Sequence, residues 1–490
     1  MGKMICKLLT LLANTLVYHF ITLSAHFSPS SATIPTNFLF GAASSAYQYE
    51  GAYLSDGKGL NNWDVFTHKS GKIKDNSNGD VATDHYHHYL MDQQRPFLVT
   101  NNFLDLESCK QEDVKLMANM GLNSYRFSIS WARILPKGRY GGINFAGIRF
   151  YSKLIDALLL RGIQPFVTLS HFDIPQELED RYGGWLSPQL QEDFTYYADV
   201  CFKYFGDRVK HWVTFNEPNV AVVYGYRTGQ YPPGRCSSSF GNCSQGDSEK
   251  EPFIAAHNII LAHAAVVNLY RTKYKEKQGG IVGIVLHALW LEPISESPSD
   301  KVAVERAQSF FMKWFLDPIM FGEYPAEMRK ILGPNLPRFS NKDLKVLHTA
   351  ADFIGINHYT SFYVRDCMYS ACKYGRGVSW TEGHVQESNQ SCSTNDLLND
   401  GKRVEYMAGY LDALLRTISN GADVRGYFAW SLLDNFEWLE GYTKRFGLYH
   451  VDYATLKRSP KSSVSWYKEF IAKHRKQTIL TEGENRSIDM

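Results

Sequence analysis

Almost no excess charge is present in this chain. Its 490 residues include 52 Lys and Arg against 50 Asp and Glu, a formal net charge of +2. No long basic block disturbs that balance, which argues against a nucleic-acid partner. The eight cysteines show no paired CxxC spacing, so no metal is expected. No GxGxxG turn follows the first strand-like run, as a dinucleotide-binding doubly wound sheet would require. Beyond the N-terminal leader, no stretch reads as a bilayer span, and no membrane partner is expected. Apolar residues are plentiful, at 44% hydrophobic and 14% aromatic. That supports a large core and excludes a disordered or fibrous chain.

The leader has its own signature. Lys3 and Lys7 precede the apolar run Leu8–Leu23, followed by small residues at Ser24-Ala25 and Ser30-Ser31-Ala32. This pattern predicts a signal peptide over 1–25 and a secreted product, extracellular or vacuolar. In an oxidising compartment Cys236 and Cys243, which bracket a short Ser/Gly/Asn-rich loop, are expected to pair, and Cys367 with Cys372 likewise. Asn242, Asn389 and Asn485 each open an N-x-Ser sequon. The domain is expected over 34–475, with a tail over 476–490.

Within that domain, apolar β-type runs alternate with helical periodicity. Strands are expected at Phe38–Ser45, Ser124–Trp131, Gln164–His171, Val209–Phe215, Gly280–Pro293, Asp352–Tyr359 and Val424–Asp434. Helices are expected around Tyr151–Leu160, Gln191–Tyr204, Phe253–Lys275, Val302–Phe315 and Arg403–Ser419. Such alternation predicts βαβ units and a parallel sheet. Polar and aromatic residues gather after the strands: Gln48, His171, Asn216, Glu217, Asn357, Tyr359, Trp430, Glu437 and Trp438. One-sided clustering favours a closed α/β barrel with its site at the carboxyl-end face. Only seven strands emerge, because 362–400 reads as loop, so one βα unit of an eight-unit barrel is unaccounted for.

The strongest single stretch is Trp212-Val-Thr-Phe-Asn-Glu-Pro218. Proline stops the strand and leaves the Glu217 carboxylate at its tip. The plainer alternative is a helix-capping Glu. Arg126, inside the β run SYRFSISW, needs a carboxylate partner if buried. Aromatics beside carboxylates and amides suit a sugar, whose faces stack on indole and whose hydroxyls need polar partners. Cleaving a glycosidic bond with retention takes two carboxylates about 5–5.5 Å apart. Glu217 can be one of them.

Several stretches together carry a resemblance: FLFGAASSAYQYEGA (Phe38–Ala52), YRFSISWARILPKG (Tyr125–Gly138), TLSHFDIPQEL (Thr168–Leu178), TFNEP (Thr214–Pro218), INHYTS (Ile356–Ser361) and FAWSLLDNFEWLEGYTKRFGLYHVDY (Phe428–Tyr453). The chain resembles the plant-type β-glucosidases of glycoside hydrolase family 1. That likeness implies a (β/α)8 TIM barrel and a retaining O-glucosidase without a cofactor, taking a small-molecule β-glucoside. By resemblance Glu217 is the acid/base. Gln48, His171, Asn216, Glu437 and Trp438 grip the glucose, with Trp430 as the aromatic floor. Arg126, Asn357 and Tyr359 surround the nucleophile, and Phe446 lies at the pocket edge. The HFDIPQEL and Cys367–Cys372 stretches are similar to the branch acting on phenylpropanoid (monolignol) glucosides, which implies an aromatic aglycone.

Two departures stand out. The family's nucleophile ends a seventh strand in Thr-Glu-Asn-Gly, a tetrapeptide absent from this sequence. The likeness breaks near 385–386, where the seventh unit and the nucleophile are expected to be lacking. Glu382 and Glu387 are the carboxylates left nearby, and both read as loop residues. Met91–Gln111 interrupts a helix that the family keeps continuous, and reads as an outward insertion with Pro96 breaking the helix.

Overall fold

The structure is a computed structural model that describes residues 34–88, 113–347, 351–368 and 397–488. Seven parallel strands carry the fold: β1 (Leu39–Ala43), β2 (Ser124–Ser128), β3 (Gln164–Ser170), β4 (His211–Asn216), β5 (Ile281–Pro293), β6 (Phe353–Val364) and β7 (Gly426–Trp430). Their order across the sheet is β6-β5-β4-β3-β2-β1-β7. All seven expected strands form, and all pairings are parallel. This is the curled α/β sheet of a TIM barrel. Among the described residues β6 and β7 are its two edges, with no ladder between them.

Helices cover the outer face. α1 (Phe145–Leu160) starts where the Asn144 side chain accepts the Ala146 amide, and α2 (Gln189–Phe205) and α3 (Glu251–Leu269) follow. Strands covered on both faces are apolar throughout rather than alternating. β2 is accordingly buried at every position, and β3 at every position after Gln164. Inside the barrel, Phe166, Val213 and Val285 pack with Leu39, Phe353 and Phe428, one residue from each of six strands. Gly41 lets the Phe428 ring lie against β1, since a Cβ there would sit 2.3 Å from it.

Some expected boundaries shift. The sixth strand runs on past Tyr359 to Val364, because 361–364 continue the ladder with 290–293 beyond a bulge. The single helix expected over 302–315 is two, Pro298–Ser309 and Met312–Phe321, broken at Phe310 and Phe311. The expectation that no later stretch could span a bilayer needs correction. Glu251–Gln278 is long and apolar enough by composition, with mean hydropathy 1.5, but 67% of that window is buried inside the protein. Its apolarity serves the core between α2 and the sheet.

The leader, Met91–Gln111 and the junction at 385–386 lie outside the described residues, as do Asn389, Glu382 and Glu387. The flanks of the insertion are held together. His85 Nδ1 lies 2.7 Å from Asp113 Oδ2, and Arg458 Nε donates to Asp113 Oδ1 at 3.0 Å, all three buried. The Cys236–Cys243 disulfide is present. Cys367 is also disulfide-bonded, and Cys372 falls outside the described residues. Asn242 is exposed. The last helix, α4 (Ser462–Ile488), covers most of the stretch expected as a tail, Asn485 included.

Candidate active site

Glu217 leaves β4 with φ 46° and ψ 52°, a left-handed bend that few residues other than glycine adopt. Its amide donates to the Val285 carbonyl at 2.8 Å, and its own carbonyl accepts the amides of Val220 and Ala221. Those bonds open a short helix, Pro218–Val222. The side chain makes no capping bond, so the capping alternative fails. The carboxylate is buried in the barrel instead, at 8% exposure. Strain of this kind is held only where surrounding contacts over-determine it.

Those contacts join five expected residues, Glu217 included. Asn357 Nδ2 donates to Glu217 Oε1 at 2.6 Å and to Asn216 Oδ1 at 3.1 Å. Arg126 donates from Nη2 to Asn216 Oδ1 at 2.5 Å and from Nε to Thr168 Oγ1 at 3.2 Å. Asn216 Nδ2 meets His171 Nε2 at 3.1 Å, which fixes the imidazole edge. Burial and the Arg126 charge drive the His171 pKa well below its ordinary value, so the ring is neutral.

A second group of the expected residues packs beside the first. His171 stacks against Trp430 and Trp438, with centroids 5.9 and 6.0 Å apart. Trp438 rests in turn on Trp63 and Tyr47 within a buried aromatic cluster. Gln48 is fully buried and donates to Asn435 Oδ1 at 2.8 Å, to the Phe436 carbonyl at 2.9 Å and to Glu437 Oε2 at 3.4 Å. Tyr359 crosses the His287 ring edge-on at 5.5 Å. Phe446 contributes its carbonyl, which accepts from Ser431 and from Arg403; its ring is half-buried.

Electrostatics separate the two carboxylates. Burial works to raise Glu217, but His287, Asn357 and Arg126 more than offset it and hold the group below its usual range. Glu437 is pushed up to about 8 by burial, with the Glu217 charge adding to the rise. Glu217 is therefore ionised at neutral pH, suited to accept a proton but poor at giving one. Among the described residues no second carboxylate is bonded to the Arg126–Asn216–Asn357 cluster, and none lies within ion-pair distance of Arg126.

His287 escaped the sequence reading. Its Nδ1 lies 3.6 Å from Glu217 Oε2, and its backbone exchanges hydrogen bonds with the Asn219 side chain. A signal existed: His287 is the polar break in IVGIVLHALW and stands directly across the ladder from Asn357. Asn435, which receives Gln48, was also missed.

Comparison with known proteins gives a consistent picture. The profile of Glycosyl hydrolase family 1 matches residues 30–95, 105–382 and 373–476. The unmatched gap, 96–104, falls inside Met91–Gln111, and the second and third matched stretches overlap at 373–382. Among curated proteins, beta-glucosidase 47 of Arabidopsis thaliana is 55% identical, covering 90% of this chain and 85% of its own length. The coniferin beta-glucosidase of Pinus contorta is 46% identical, covering 89% of this chain and 91% of its own length. A crystal structure of the rice β-glucosidase Os3BGlu6 superposes with TM-score 0.81 at 44% identity, covering 89% of this chain and 99% of that one.

Proposed function

The chain belongs to glycosyl hydrolase family 1, and on that premise we propose that it is a β-glucosidase whose own turnover is impaired. It takes terminal β-D-glucosyl residues of O-glucosides. Gln48, His171, Asn216, Glu437 and Trp438 hold the glucose, and the Trp430 indole underlies it. Glu217 is the acid/base. In the retaining reaction a nucleophile attacks the anomeric carbon while the acid/base protonates the leaving oxygen, and the same group then activates water. The observation that carries the reading is the Glu217 cluster itself. Its amide and guanidinium partners are in place, but no second carboxylate stands among them within the described residues. His287, Asn357 and Arg126 also hold Glu217 below its usual range, which favours its ionised form.

The likeness to a coniferin β-glucosidase supports an aromatic aglycone. The leader, the sequons and the Cys236–Cys243 bond support a secreted glycoprotein. Purified protein tests the main reading. A phenyl β-glucoside should be hydrolysed very slowly, whereas glucose should raise the melting temperature saturably. Fast hydrolysis rejects the impairment, and no response to glucose or glucoside rejects the glucose site.

A further inference from the structure

Behind the turn that carries Glu217 lies a cavity of about 30 Å³, room for about two waters. Its walls come from the ends of β3 and β4 (Ser170, Phe215, Asn216), from the short helix that Glu217 opens (Pro218, Val222) and from Trp185. All of its lining residues are among those described. One acid stands there, Glu179, on the helix Gln176–Tyr182 that follows β3. The glucose site does not use it. Its Oε2 is enclosed and accepts no hydrogen bond. Gly184 makes room for it, since a Cβ there would stand 2.1 Å from that oxygen.

A carboxylate without a partner is costly to bury, so the neutral acid is the form that suits this place. The neighbouring cation is already engaged. Arg235 donates to Glu251 from Nε at 2.8 Å and from Nη2 at 2.6 Å. The titratable groups that face Glu179 are Tyr226 on the cavity wall, Arg235 and Glu251 beside it, and Asp180 on its own helix. Burial pushes the Glu179 carboxyl up to about 7; Arg235 draws it down, and Asp180 and Glu251 oppose that.

We propose that Glu179 and its cavity form a pH switch on the turn that carries Glu217. With the proton on, the cavity stays closed against Asn216 and Pro218. With the proton lost, the carboxylate draws water in, and the Pro218–Val222 helix opens more often. The closed form holds its proton until about 7, whereas an opened, wetted Glu179 releases it near its ordinary 4.5. Closure is therefore fully favoured below about 4.5 and weakens as pH rises to 7. On the glucosidase reading above, the alkaline form presents a less ordered acid/base.

Hydrogen exchange of the full chain tests the switch, read by mass spectrometry over Glu217–Val222 and corrected for the intrinsic rate at each pH. It needs no substrate, so its outcome is separate from the glucosidase reading. Opening of the segment should rise about tenfold between pH 6 and 8. Glu179→Gln, a neutral side chain of the same shape, should remove that rise. Glu251→Gln removes a repelling carboxylate and frees Arg235 for Glu179, so it should move the rise to lower pH. That second variant decides the matter if Glu179→Gln does not fold. Opening that ignores pH overturns the switch, as does a rise that Glu179→Gln leaves in place or Glu251→Gln leaves unmoved.

Discussion

The packed wall of the barrel and its open edge are built from the same strand chemistry and meet different fates. β2 is buried at every position. β6, of similar apolar composition, has no fully buried residue; Ile356 is 45% exposed and Tyr363 71%. β7 is buried only at Ala429. The candidate site residues divide along the same line. Gln48, Arg126, His171, Asn216 and Glu217 come from the packed wall and are buried, whereas Asn357 and Tyr359 come from the edge. Among the described residues, the buried polar side chains of the candidate site thus come from the packed wall and the more exposed ones from the edge.

The largest expected effect comes from closing the edge. A strand–helix unit ending in Thr-Glu-Asn-Gly, inserted at the 385–386 junction, should raise hydrolysis of a phenyl β-glucoside by about 10³-fold or more and raise the melting temperature. No gain would break the comparison, because the open edge would then not be the cause of impairment. In that closed chain Glu217→Gln should lower kcat/KM by about 10²–10⁴-fold on a phenyl glucoside. The loss should be far smaller on a dinitrophenyl glucoside, whose leaving group needs no proton.

Stability contrasts sharpen the same division. Leu169 on β3 is fully buried, so Leu169→Ala should cost about 2–5 kcal/mol by denaturant unfolding. Ile356→Ala on β6 should cost under about 1 kcal/mol. Similar costs at the two positions would mean that the edge is as well packed as the wall.

The smallest effect concerns pH. Glu437 sits at about 8 against an ordinary 4.5, so the native chain keeps a proton that the unfolded chain loses between those values. Stability from this group is full below about 4.5 and declines as pH rises toward 8. Glu437→Gln should flatten that slope, as melting temperatures across pH 5–8 will show. An unchanged slope would remove Glu437 as its source.

Much of this was legible in the chain. The seven strands were visible because strands covered on both faces remain apolar along their length, and Glu217 because Pro218 ends its strand. The roles around it came from resemblance, since nothing in the local spacing brings Arg126 to Asn216 across 90 residues. His287 was hidden by its apolar neighbours, and its importance depends on a ladder register that only the fold supplies. The left-handed turn at Glu217 was unreadable, because an Asn-Glu-Pro sequence permits ordinary geometry equally well. β6 ran past its expected end because its length is set by pairing with β5, a long-range contact.

Covalent trapping tests the central claim most directly. The protein is incubated with 2,4-dinitrophenyl 2-deoxy-2-fluoro-β-glucoside and weighed intact by mass spectrometry. A chain with acid/base and glucose grip but no nucleophile should gain no fluoroglucosyl adduct, even at saturating reagent. A stoichiometric adduct on any carboxylate, Glu382 and Glu387 included, would show that a nucleophile is present and contradict the account.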